Sequence, residues 1–162
     1  MNKLNMKGEP EEVLDFVEEA RKYFLSRFTK GLLLAEKANS WNEGESSYFL
    51  SGYLIRDWND EPSRIRGNDP INLSLLLTYK EETGEFELNK SGGRGIAISA
   101  VPNKPYMAMS HRKVSYRKAK GDYSRVMKNF TSVTKRLADL YKELERDGEL
   151  FHPEYVKTHK VR

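Results

Sequence analysis

The stretch Ile71-Asn-Leu-Ser-Leu-Leu-Leu-Thr-Tyr-Lys80, followed by Glu81-Glu-Thr-Gly84 and Glu85-Phe-Glu-Leu88, decides the fold. In an extended chain successive side chains point to opposite sides. Ile71, Leu73, Leu75, Leu77 and Tyr79 therefore share one face, while Asn72, Ser74, Thr78 and Lys80 share the other. The four residues Glu81–Gly84 form a turn, and Glu85-Phe86-Glu87-Leu88 alternates back from it. That is a hairpin with one apolar side. Such a sheet needs a cover, and an amphipathic helix supplies one.

Toward the C-terminus, Ser91-Gly-Gly-Arg-Gly95 reads as a glycine-rich bend between strands. It lacks the spacing of a phosphate-binding loop and no helix follows it. Arg94 at its tip is still a candidate for a phosphate or partner contact. Ile96–Val101 is expected to be another strand, stopped by Pro102, and Tyr106–Ser110 a fifth, short one. From Asp122 to Asp147, Val126, Phe130, Val133, Leu137, Leu140, Tyr141 and Leu144 recur at helical spacing, with Gly148 in place to cap the C-terminus.

Toward the N-terminus, Asp60–Pro70 is a polar connection and Tyr48–Trp58 an aromatic-rich strand. Asn39–Gly44 reads as a loop. From Glu11 to Asn39 the residues Val13, Phe16, Val17, Ala20, Phe24, Phe28 and Leu32 step by three and four, which predicts one long helix. Its acids crowd the first turns, where the helix dipole favours them, and Gly31 ends or interrupts it. The expected architecture is an α+β single domain over residues 1–150, with a long N-terminal helix, an antiparallel sheet of three to five strands and a long C-terminal helix packed on the sheet. Residues 151–162 are expected to form a basic tail.

The 162 residues include no Cys, which removes disulfides, thiolate metal sites and cysteine nucleophiles. No apolar run approaches the ~20 residues of a membrane span. The first ten residues hold no apolar core, so neither a secretory signal nor a membrane partner is expected, and the location expected is cytoplasmic. Residues 1–100 carry 13 basic and 17 acidic side chains, and residues 101–162 carry 15 and 7. The chain is thus a charge dipole. Its acidic end is Glu9, Glu11, Glu12, Asp15, Glu18 and Glu19.

Its basic end is concentrated between residues 104 and 128, where Lys104, Arg112, Lys113, Arg117, Lys118, Lys120, Arg125 and Lys128 face one acid, Asp122. Tyr106, Tyr116 and Tyr123 are interleaved among them. Cations neutralise phosphates and aromatic faces stack on unpaired bases, so the pattern points to nucleic acid. Lysines also protect sheet edges from pairing, and these cations have an intramolecular alternative in the acidic start of the first helix. The order helix–strands–helix, with Arg117-Lys118-Ala119-Lys120 ahead of the last helix, resembles the plan of double-stranded-RNA-binding domains. In that family a Lys-Lys-x-Ala-Lys stretch opens the second helix and contacts phosphates. Here Gly121-Asp122 follows the stretch, so it precedes the helix.

Other constellations carry less. His152 and His159 lack metal-ligand spacing, and His111 sits inside the cation cluster with no carboxylate nearby in sequence. Asp57, Asp60, Glu61 and Asp69 flank a polar loop and read as solvated acids rather than Mg²⁺ ligands. Trp58 is expected in the core, and Trp41 in a polar loop suits a protein interface. No cofactor is expected. The leading expectation is a small non-enzymatic nucleic-acid-binding protein, with Tyr116 or Tyr123 stacking on a base. The second is an inhibitor or adaptor, virus- or mobile-element-encoded, docking on a nucleic-acid-processing protein. The third is a metal-independent nuclease using Arg, Lys and Tyr.

Overall fold

The computed structural model describes residues 8–40, 42–54, 71–92, 95–100 and 110–147. The chain runs α1 (Glu11–Arg27), β1 (Gly31–Ala38), β2 (Glu45–Leu54), β3 (Ile71–Lys80), β4 (Glu85–Lys90), β5 (Ile96–Ala100), β6 (Ser110–Lys113), β7 (Ala119–Gly121) and α2 (Tyr123–Arg146). Helix, antiparallel sheet, helix is the expected α+β order. All strand pairs are antiparallel, and β3 lies at the centre.

The hairpin that decided the fold is present in the expected register, with Leu77 opposite Leu88, Tyr79 opposite Phe86 and Lys80 opposite Glu85. On the other side of β3, Leu77 pairs with Tyr48 and Leu75 with Leu50. The alternation of β3 is complete: odd-numbered residues are buried and even-numbered ones half-buried. α1 buries Val13, Phe16, Val17, Ala20 and Phe24. α2 contributes Val126, Met127, Phe130, Val133, Leu137, Ala138 and Leu144 to the same core.

One expectation is corrected. The long helix Glu11–Asn39 is two elements: a helix to Arg27 and the edge strand β1. The Phe28 amide donates the last helical bond, to the Phe24 carbonyl, and the Gly31 amide then donates to the Phe28 carbonyl. Phe24, Phe28 and Leu32 keep a four-residue rhythm across this turn, so periodicity alone runs through the break. Strand β2 begins earlier than expected, at Glu45. Strand β7 was not expected at all, and β6 starts at Ser110, where the short fifth strand was expected to end.

The strands on either side of the glycine-rich segment line up on β3. β4 and β5 both run antiparallel to β3 along the same side of it, pairing with residues 75–80 and 71–73 respectively. Between them Ser74 bridges the segment: its amide donates to the Gly95 carbonyl at 2.7 Å and its carbonyl accepts from the Ser91 amide at 2.9 Å. Ser91 and Gly95 thus both bond to Ser74, and β4 and β5 lie end to end along one side of β3. β6 pairs β5 and β7 pairs β4 in the same manner. The sheet is in effect a five-stranded meander whose last two positions are each filled by two strands, β4 with β5 and β6 with β7.

Candidate functional site

The basic segment enters the fold as the last edge of the sheet and the start of α2. Asp122 caps that helix, its carboxylate accepting from the Arg125 amide at 2.9 Å. The connection between β6 and β7 is tied to the helix by three side chains. Arg136 Nη1 donates to the Ser115 carbonyl at 2.6 Å, Asn129 Nδ2 to the Arg117 carbonyl at 3.2 Å, and the Tyr116 hydroxyl to Asn129 Oδ1 at 2.7 Å. Tyr116 also lies 2.8 Å from the Leu88 carbonyl oxygen. Together these bonds hold Arg117 beside the N-terminal half of α2.

The tyrosines are structural in this arrangement. The Tyr123 hydroxyl donates to Glu19 at 2.7 Å, and its ring packs edge-on against Phe16 and Phe86 at centroid distances of 5.4 and 5.7 Å. Burial raises the pKa of the Tyr116 phenol above the ordinary tyrosine value. Burial, and then the hydrogen bond to Glu19, do the same for Tyr123. Both hydroxyls stay protonated at neutral pH with their protons engaged inside the fold. That leaves the cations, rather than these rings, as the groups presented outward.

Beside the exposed Arg117, the cations fall into three sets. Lys118 and Lys120 lie near the carboxylates of β4, at 3.6 Å from Glu87 and 4.0 Å from Glu85. Lys80 joins this ladder, 3.6 Å from Glu85 and 3.9 Å from Glu45. Lys118 and Lys120 thus pair with β4 rather than with the start of α1. A second set, Arg112 and Lys113, occupies adjacent positions of β6 and so points to opposite sides of the sheet; both are exposed.

The third set lies along α2 and includes cations outside the expected 104–128 segment. Arg125, Lys128, Lys135 and Arg136 are all exposed and fall on one stripe of the helix, opposite its buried face. Between Tyr123 and Ala138 the helix holds no acid. Lys135 pairs with Asp139 one turn on, at 3.0 Å. The signal for Lys135 and Arg136 was present in the sequence as helical spacing from Arg125 and Lys128.

The acidic end of the chain is partly spent within the fold. Glu9 accepts a short hydrogen bond from the Tyr48 hydroxyl and pairs with Lys37 at 3.0 Å. Glu18 pairs with Arg21, and Glu19 accepts from Tyr123. His111 sits 3.2 Å from the Ser99 hydroxyl across the β5–β6 pair. Among the described residues no group of three or more His, Cys, Asp or Glu is placed to hold a metal ion, and no helix is long and apolar enough to cross a membrane.

Several expected positions lie outside the described residues: Arg94, Lys104, Tyr106, Trp41, Trp58, His152, His159, the acids Asp57, Asp60, Glu61 and Asp69, the cap Gly148 and the tail 151–162. Comparison of the chain with protein-family models, with curated proteins and with solved structures finds no match.

Proposed function

We propose that this protein binds nucleic acid through the basic side formed by Arg117 and the N-terminal half of α2. The observation that carries the reading is electrostatic. Residues 110–138 hold nine Lys and Arg and one acid, Asp122, whose carboxylate is turned onto the Arg125 amide. Lys118 and Lys120 pair with β4, but the exposed Arg117, Arg125, Lys128, Lys135 and Arg136 together outnumber the Asp139 carboxylate that pairs with Lys135, so this side carries a local positive field whose natural counterpart is a phosphate backbone. The work is non-enzymatic in this reading, as the Tyr116 and Tyr123 hydroxyls are engaged within the fold. A cytoplasmic setting supplies the nucleic acid.

The test is fluorescence anisotropy with labelled DNA and RNA at low and physiological salt. Binding is expected at low salt and falls steeply as salt rises, because release of condensed counterions drives it. The combined variant Arg117→Glu, Arg125→Glu, Lys128→Glu abolishes binding while circular dichroism shows the same folded content. Binding that ignores both salt and charge reversal overturns the reading.

The second reading, an adaptor or inhibitor docking on a nucleic-acid-processing protein, has one observation in its favour. Leu14 is 37% exposed on α1, beside the exposed acids Glu11, Glu12 and Asp15. A partner captured from extract that survives nuclease treatment supports it, and loss of the partner on nuclease treatment counts against it.

A further inference from the structure

The stripe on α2 is not a uniform run of charge. Its cations come in two pairs, Arg125 with Lys128 and Lys135 with Arg136, and the exposed residue on the same stripe between them is the uncharged Ser132. At a rise of 1.5 Å per residue the centres of the two pairs lie about 13 Å apart along the helix axis. At 100° per residue all five positions fall within roughly a third of the helix circumference. The helix is thus a rigid bar with a cationic pair at each end of a neutral span.

That spacing has a counterpart in nucleic acid. The major groove of B-form DNA is about 12 Å wide and admits an α-helix, with a phosphate rail on either side. The major groove of A-form RNA is deep and narrow, and single strands have no second rail. Single-strand binders also rely on aromatic faces on which bases stack. The described tyrosines of the basic segment, Tyr116 and Tyr123, have their hydroxyls held by Leu88, Asn129 and Glu19 instead.

Resting on the nucleic-acid reading above, we infer that the ligand is duplex DNA, with α2 laid across the major groove so that Arg125 and Lys128 meet one phosphate rail and Lys135 and Arg136 the other. The exposed ion pair of Lys135 with Asp139 is no obstacle, since surface pairs of this kind are worth under about 1 kcal/mol and yield to a phosphate. Arg136 keeps one Nη on the Ser115 carbonyl, which orients the rest of its guanidinium outward from a fixed base. Recognition of this type is set by backbone geometry, so it is expected to be nearly independent of sequence.

The experiment compares the wild-type chain against one mixed-sequence DNA duplex, its separated single strand and the RNA duplex of the same sequence and length, by anisotropy at low salt. The duplex DNA is expected to bind about tenfold tighter than either alternative. Ser132→Glu, which places a carboxylate at an exposed position between the two cationic pairs, is expected to weaken duplex binding by about tenfold or more. Lys128→Ala and Lys135→Ala are expected to weaken it to similar extents, as befits two rails. Single-stranded DNA or duplex RNA binding as tightly as duplex DNA overturns this inference and leaves the nucleic-acid reading standing. Absence of binding to all three overturns both.

Discussion

The Tyr48 hydroxyl, 39 residues from the Glu9 carboxylate in sequence, donates to it at the mouth of the first helix, and Lys37 closes the group from the neighbouring strand. Lys37 also stands over the Tyr48 ring, 5.6 Å from its centroid. The Tyr48 hydrogen bond first, and Lys37 second, hold the Glu9 carboxyl below the ordinary glutamate range. A carboxylate depressed in the folded state contributes stability above its unfolded pKa, and that contribution is lost as pH falls through the folded pKa. Tyr48→Phe is therefore expected to cost about 1.5–3 kcal/mol at neutral pH, the range for a hydrogen bond to a charged group. The gap from wild type should narrow in acid, once Glu9 is protonated. Urea denaturation of both proteins at pH 7 and below pH 4 measures it, and a gap that widens in acid contradicts the assignment. None of this triad was legible in the sequence, because alternation places Tyr48 in a core and says nothing of where its hydroxyl ends. The same holds for Tyr116 and Tyr123. Their spacing among cations suggested stacking, and it says nothing of the oxygens of Leu88, Asn129 and Glu19 to which their hydroxyls bond.

At the scale of elements, what the sequence disclosed follows from how many independent signals each element carried. β3 has strict alternation over ten residues, and a turn with Gly84 at φ 72° closes its hairpin. α2 has a full apolar stripe and an Asp N-cap. β1 had neither, since its Leu32-Leu33-Leu34 run is compatible with both periodicities and its start is fixed by tertiary contact. β7, three residues long, exists only through pairing with β4. The seating of α1 on the sheet depends on another feature that spacing does not show. A methyl group at Gly52 would lie 2.8 Å from the ring carbons Cε1 and Cζ of Phe24 and 3.1 Å from Leu73 Cβ. Gly52 is therefore a gap in the β2 surface into which the fully buried Phe24 ring descends. Gly52→Ala is expected to destabilise by about 1–3 kcal/mol through overpacking. Combined with Phe24→Leu, which shortens the intruding group, its cost should fall by about 1 kcal/mol, a coupling expected only of residues in contact. Thermal and urea unfolding of the two single variants and the double variant complete the cycle. Strict additivity would show that the ring does not set the helix height.

Across the whole molecule, the charge asymmetry of the sequence is resolved into surfaces that behave differently. The cations of the sheet edge, Lys118 and Lys120, interleave with Glu85 and Glu87, so their field is largely cancelled within a few ångströms. Of the four cations on the α2 stripe, Lys135 pairs with a carboxylate, Asp139, one turn on. A count along the chain sees both sets as one basic run, because it cannot know that β4, some thirty residues earlier, returns to lie beside β7. Topology therefore divides one sequence feature into a paired ladder on the sheet edge and a cationic stripe on α2, and under the proposed function the two sets are expected to separate in a single salt titration. Replacing Lys118 and Lys120 by Gln is expected to change stability by less than about 1 kcal/mol, as exposed pairs do. DNA affinity and its salt dependence should then stay close to wild type. Replacing Arg125 and Lys128 by Ala is expected to flatten the plot of log affinity against log salt by about 1.8, since each phosphate contact contributes roughly 0.9. Equal losses of slope from both pairs would place the sheet edge within the contact surface and require the bound backbone to run over β7 as well as α2.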